Sequence, residues 1–471
     1  MKKHKVRKMQ EDKINVVLIS LDTVRADHLS AYGYKRKTTP NLEKIAKNGI
    51  LFRQAVSPAG YTLPAHASLF TGLYSSRLIP KESWVLENQE QLIQKFSLGL
   101  KQAPEPMAQL FQNNGYLTAG FTGDAYIDGS LGFSKGFSEY FDFPTILGHG
   151  YSPDQQEDKT KEIFKSGIEW LRRNRKNSPF FLFLHTYEAH QPHGHTYFTQ
   201  NNPPPLRLRK LKTPVDSLFT PTKEEREFAI DLYDSSIFCV DRYLGDLMEE
   251  LDRLHLVENT LLIILSDHGE DIWNHTCWDH GEMYEEVLRV PLIFLNFPNA
   301  QKNIAVTTPV SLLDLYPTLV ESLNLKRSFP YPLDGRSLIS LFQDKIIGSS
   351  TLFSEHMDFT INPVPNQVSK FNGHYISVRQ ENMKYISRRF LNGSPHLSSS
   401  ILEESLFDLH QEPGEKINLS GNSSDILNRL RNLCNDMLFL ISKETAFIHD
   451  SDYSLSEEIE LMQRLRDFGY V

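Results

Sequence analysis

Three apolar runs of this chain end in groups able to do chemistry. Asp22 follows Val16-Val-Leu-Ile-Ser-Leu21, His185 follows Pro179-Phe-Phe-Leu-Phe-Leu184, and Asp267-His268 follow Thr260-Leu-Leu-Ile-Ile-Leu265 and Ser266. A carboxylate beside an imidazole is a natural donor pair for a hard or borderline divalent cation. Gly269 behind them lets the backbone turn sharply. Each signal is weak alone, because Asp-His-Gly occurs by chance in loops and a lone Asp22 is more often a cap. A fourth stretch, Ala59-Gly-Tyr-Thr-Leu-Pro-Ala-His-Ala-Ser-Leu-Phe-Thr-Gly72, reads as a tight turn entering a helix. A hydroxyl on Thr62 would sit at the positive helix end, where anions bind. Threonine is a poor nucleophile unless a metal ion lowers its pKa. A cation held by Asp22, Asp267 and His268 would meet that need.

The elements that must position these groups follow from hydrophobic pattern. The three runs are short and nearly continuously apolar, which suits strands buried on both faces of a parallel sheet. Val290-Pro-Leu-Ile-Phe-Leu295 reads as a further strand, with Pro291 tolerable at its start. Thr38-Thr-Pro-Asn41 opens a helical pattern that stops at Gly49, and apolar residues recur at helical spacing from about Lys223 to Leu254. Strand and helix in alternation predict an α/β fold with a mostly parallel central sheet flanked by helices. In such sheets ligands bind outside the carboxyl ends of the strands, which is where Asp22, His185 and Asp267-His268 stand.

Beyond about residue 345 the texture changes. His374–Val378 and Met383–Ser387 read as a hairpin, Ser405–Leu409 as an added strand, and 424–443 as an amphipathic helix. The expected organisation is a basic tail over 1–12, a catalytic domain over 13–345 and a small C-terminal α+β subdomain over 346–471. The stretch Asn201-Asn-Pro-Pro-Pro205, followed by Arg207, Arg209, Lys210 and Lys212, is either a solvated loop or a basic lid over an anionic substrate.

Composition narrows the classes. The 50 Lys+Arg against 59 Asp+Glu leave a net charge of −9, which argues against a general nucleic-acid binder. Apolar residues make up 40 % of the 471, enough for a sizeable core. Cys239, Cys277 and Cys434 form neither a metal finger nor a disulfide framework, so a reducing compartment is expected. No run approaches a membrane span of ~20 apolar residues. The basic start lacks a signal-peptide pattern, and a cytoplasmic location is expected. Oligomeric state is not readable.

These motifs, taken in order, resemble the sulfatase family of the alkaline phosphatase superfamily. The resemblance rests on Asn15–Leu29, Thr38-Thr-Pro-Asn41, Thr62-Leu-Pro-Ala-His-Ala-Ser-Leu69, Ser266-Asp-His-Gly-Glu270 and Tyr284–Pro291. Ser311–Thr318, Asp334-Gly-Arg-Ser337, Leu406–Leu409 and Glu412-Pro-Gly-Glu415 extend it. It implies an alkaline-phosphatase-like fold and one divalent metal ion (Ca, Mg, Mn or Zn) held by Asp22, Thr62, Asp267 and His268. It also implies an oxyanion-binding His190, and a His280 that contacts the substrate ester and protonates the leaving oxygen. His66 stands where the family has a substrate-side arginine. His185, His193 and His275 read as surface or supporting histidines.

The departures from the family pattern steer the chemistry. A typical sulfatase has Cys or Ser at position 62, matured to formylglycine; Thr62 cannot be matured in that way. Thr23 replaces the second aspartate of the usual metal pair. The lysine–histidine pair that grips sulfate is absent from Gly120–Asp124. A phosphothreonine can be relieved by in-line attack of water or an alcohol. Phosphodiester or phosphoryl-transfer chemistry is therefore expected ahead of sulfate chemistry. An arylsulfatase-like sulfuric ester hydrolase and an inactive sulfatase-like binding protein remain the alternatives. A second metal would need His190 and His280 plus an acid, with Thr186 standing where the acid would be and Glu188 nearby.

Overall fold

The computed structural model describes residues 13–79, 89–123, 125–142, 159–175, 179–190, 195–199, 220–275, 278–329, 331–342, 351–359, 372–389, 401–421 and 424–443. The basic tail, the Pro-rich stretch over 201–212, His193, Cys277 and Asp124 lie outside them. The main sheet has eight strands: β1 (Asn15–Leu21), β2 (Ile50–Phe52), β3 (Leu117–Thr122), β4 (Glu139–Asp142), β5 (Phe180–Thr186), β6 (Thr260–Leu265), β7 (Leu292–Leu295) and β8 (Ile304–Val306). Their order is β8-β2-β7-β6-β1-β5-β3-β4. All run the same way except β7, which is antiparallel to both its neighbours.

Central β1 pairs in parallel with β5 (Ser20 opposite His185) and with β6 (Ser20 opposite Leu265). All seven β1 residues are buried, as a continuous apolar run requires when both faces are covered. Side-chain alternation splits it between two layers. Val16 and Leu18 pack with Leu63, Ala67 and Phe70 of α1 (Thr62–Thr71). Val17 and Ile19 pack with Trp170 of α2 (Lys159–Asn174) and with Tyr233, Ile237 and Leu244 of α3 (Lys223–Arg253). Helix α3 starts on a capping box in which Thr222 and Glu225 satisfy each other's backbone donors.

The run over 290–295 is not one strand. Arg289–Val290 joins a separate three-stranded sheet and Pro291, which lacks a ladder donor, marks the break before β7. The C-terminal hairpin is present but belongs to a larger antiparallel sheet: β9 (Thr351–Phe359), β10 (Asn372–Gln380), β11 (Met383–Arg389) and β12 (Ile401–Asp408). Helix α4 (Ser424–Lys443) covers it through Leu430, Cys434 and Leu438 against Ile376, Val378 and Tyr385. The other face packs Leu352 and Tyr375 on Val56, Met283 and Leu288 of the main body. Strand β9 escaped the sequence pattern, and it matters for the site.

Candidate functional site

The carboxyl ends of β1 and β6 deliver Asp22 and Asp267-His268 side by side. The turn after β6 is held by Ser266, whose hydroxyl donates to the His268 carbonyl (2.7 Å) and accepts Val24 N–H (2.9 Å). Gly269 is obligatory there, since a Cβ would lie 2.0 Å from the Glu286 carbonyl oxygen. After β1, Thr23 sits at φ +57°, a strained position for a β-branched residue. That backbone aims Thr23 N–H at Asp267 Oδ1 (3.3 Å), and the Tyr233 hydroxyl caps the Thr23 carbonyl (2.7 Å). At position 23, where the resemblance implies a second aspartate, the peptide N–H holds the Asp267 carboxylate instead. His268 N–H adds a second bond to the same oxygen (2.9 Å), leaving Asp267 Oδ2 without a hydrogen bond.

Helix α1 begins at Thr62, and its ten residues are all buried. Pro64 falls in the first turn, where a missing N–H costs nothing. His268 Nδ1 donates to the Gly269 carbonyl (2.9 Å), so its Nε2 carries a lone pair. That nitrogen lies 3.1 Å from Thr62 Oγ1, 3.5 Å from Asp267 Oδ2 and 3.7 Å from Asp22 Oδ1. Asp22, Asp267 and His268 thus present donor atoms within 4.8 Å of one another, all buried. Burial drives the His268 pKa well below its ordinary value, and burial lifts that of Asp267 against the pull of His66. Two carboxylates and a neutral imidazole meet in this buried cluster, and the donor set fits a divalent cation.

A ring of aromatic groups continues from the donors. His280 packs 4.6 Å (ring centroids) from His268, 5.0 Å from His190 and 5.0 Å from Tyr61. Burial opposes a charge on His280, but the Glu270 carboxylate 3.2 Å from Nδ1, with Asp279 and Asp267, outweighs it and raises the pKa to about 9. His190 stacks on Tyr187 at 4.3 Å, with the Tyr187 hydroxyl 3.2 Å from its Nε2. The structure therefore gathers Asp22, Thr62, Asp267, His268, His280 and His190 in one cluster. His66 sits differently from a substrate-side group. Its Nδ1 faces the Thr62 carbonyl (3.0 Å) and its Nε2 the Ser20 hydroxyl (3.0 Å), so protein groups occupy both nitrogens.

His185 is no surface histidine: it is fully buried, 4.9 Å from the His66 ring. His275 lies elsewhere, stacked at 3.7 Å on Tyr284 and paired with Glu286 at 3.1 Å. Glu188 is engaged by His195 at 2.7 Å, and among the described residues His190 belongs to no group of three metal-donor side chains. Sequence reading passed over three members. Glu270 was quoted only inside a motif, and Tyr61 carried no signal beyond adjacency to Thr62. His356, on β9, reaches Tyr61 at 5.6 Å and gave no local clue, because the C-terminal sheet brings it in.

Fold and site combine an α/β scaffold with a hydroxyl at a helix start beside two acids and an imidazole. A family model described as Sulfatase matches residues 14–325. The chain belongs to the sulfatase family and is a sulfatase-like ester hydrolase. It is 26 % identical over 373 residues to an ulvan-active sulfatase of Formosa agariphila, covering 73 % of this chain and 68 % of that one. Among solved structures, the phosphonate monoester hydrolase of Agrobacterium radiobacter superposes with a TM-score of 0.66 at 19 % identity, covering 92 % of this chain and 96 % of the other. A structure solved in complex with its substrate D-glucosamine-2-N,6-O-disulfate gives 0.67 at 18 % identity, covering 93 % and 100 %.

Proposed function

We propose that this hydrolase cleaves phosphate esters, phosphodiesters foremost, through Thr62 as nucleophile. The observation that carries the reading is the Thr62 hydroxyl, 3.1 Å from the lone-pair nitrogen of His268 at the start of helix α1. A divalent cation held by Asp22, Asp267, His268 and the Thr62 oxygen would lower the hydroxyl pKa and neutralise charge on the ester. With its proton released to water, the Thr62 oxygen attacks phosphorus in line, forming a P–O bond to Thr62 and breaking the bond to the alcohol. His280, kept protonated by Glu270, donates a proton to the departing oxygen. His190, oriented by Tyr187, donates a hydrogen bond to the developing oxyanion. Water or an acceptor alcohol, giving its proton to the now neutral His280, then attacks phosphorus and breaks the P–O bond to Thr62. Thr62 offers no aldehyde for eliminating sulfate, which supports phosphorus over sulfur. Sulfate ester cleavage is the second reading, favoured by the sulfatase relative named above. Location in the cytoplasm belongs to the same proposal.

The test compares aryl phosphodiester, phosphomonoester and sulfate substrates, with and without chelator. Phosphodiester turnover lost with chelator and in Thr62→Ala is the expected result. Full activity in Thr62→Ala, or in chelator, overturns the nucleophile or the metal. Sulfate turnover ahead of phosphodiester turnover installs the second reading.

A further inference from the structure

We propose that His66, His185 and Asp267 form a second metal site, suited to Zn²⁺, that shares the Asp267 carboxylate with the Asp22–His268 donors. Their ligand atoms lie within 4.8 Å of one another, and all three side chains are buried. His66 Nδ1 and Asp267 Oδ2 are 3.5 Å apart, close to the separation of two donors on one tetrahedral zinc. Two imidazoles and a carboxylate favour zinc over calcium or magnesium, which take oxygen donors.

The independent observation is His185. It has no exposed surface, and neither ring nitrogen makes a hydrogen bond among the described residues. A buried imidazole with both nitrogens idle is rare, because each polar atom has given up water for nothing. His66 is equally ready. With no cation its Nδ1–H donates to the Thr62 carbonyl and the Ser20 hydroxyl donates to Nε2. A hydroxyl accepts as well as it donates. Ser20 can therefore take an Nε2–H instead, which frees Nδ1 as a ligand and orients the ring from behind. Phe183 borders both rings, 6.1 Å from His66 and 6.5 Å from His185, and Phe133 lies 6.4 Å from His66. Such a shell limits water, and burial keeps both imidazoles neutral, as ligands must be. A cation here would brace Asp267 and the first turn of α1 without touching the ester.

The proposal uses Asp267 in common with the catalytic reading but none of its other donors. The full chain, stripped with chelator and dialysed against Zn²⁺, is assayed for bound metal by mass spectrometry. About two equivalents are expected for the wild type. His185→Ala and His66→Gln are each expected to lose about one, and so are His268→Ala and Asp22→Asn. Metal lost in His185→Ala but kept in His268→Ala supports this site and sinks the catalytic one. Metal content unchanged in His185→Ala, or a wild type that never exceeds one equivalent held by Asp22 and His268, overturns the proposal. Should the variants not fold, anomalous diffraction from zinc-loaded wild type decides. A peak about 2.1 Å from a His185 nitrogen is expected, and its absence overturns the site.

Discussion

Lys384, in the C-terminal sheet, and Asp267, at the rim of the main sheet, are both buried charges, but the protein treats them in opposite ways. Lys384 Nζ lies 2.9 Å from Glu285 and 2.9 Å from Glu415, and Arg379 reaches the other Glu285 oxygen at 3.3 Å. Nearby, Glu355 accepts from Ser76 N–H (2.8 Å) and Ser75 Oγ (3.1 Å) and faces His374 (3.2 Å). Charges in this seam are matched by other residues of the chain. At the rim, among the described residues, Asp267 Oδ2 makes no hydrogen bond, and His185 makes none at either nitrogen. Burying groups without protein partners costs stability. Where the chain supplies the partners, the polar network ties the C-terminal sheet to the main body; where it does not, the gap is left for something that binds.

That contrast can be broken by mutation. Thr62→Ala should cut kcat/KM by about 10⁴-fold, as loss of a nucleophile does, while chemical denaturation stays near wild type. Retention of a large part of the activity would remove the rim from the chemistry. Lys384→Met should leave Glu415 buried without its cation and Glu285 with Arg379 alone, and destabilise by about 3–5 kcal/mol in urea titration. A negligible change there would mean that the seam does not anchor the C-terminal sheet.

His280→Gln sharpens the comparison by leaving group. A loss of about 10²–10³-fold is expected for alkyl esters and a much smaller one for esters of acidic phenols, which leave without a proton. In the wild type, the alkyl-ester rate should fall as pH rises through about 9, where His280 gives up its proton. Equal losses for both ester types would remove its role as acid. The smallest effect is on acid stability. Burial, then His280 and His268, lowers the His356 pKa to about 3, below the 6.5 of an unfolded histidine. Its contribution is complete above pH 6.5 and is lost as pH falls toward 3, at up to about 1.4 kcal/mol per unit. His66, His185 and His268 shift in the same direction, so His356→Asn should remove one group's share of the slope between pH 7 and 5.

Local pattern was enough for the strands before Asp22, His185 and Asp267, because apolar runs between turn signals need no partner to be recognised. Helix α3 was readable for the same reason, its 3.6-residue period being a property of the chain alone. The reversal of β7 was not, since Leu292–Leu295 looks alike in either direction. His356 and the burial of His185 were equally hidden, for both depend on contacts across the fold: His356 meets Tyr61, and His185 meets His66.

Residue types and their places at strand ends and a helix start were enough to nominate Asp22, Thr62, Asp267 and His268 as candidate donors and nucleophile. Only the tertiary structure decided that Asp267 faces two histidine environments, His268 on one hand and His66 with His185 on the other. The reason is physical. Strand pattern governs where a chain runs, whereas the distance between two side chains more than a hundred residues apart is set by packing and register across the whole sheet.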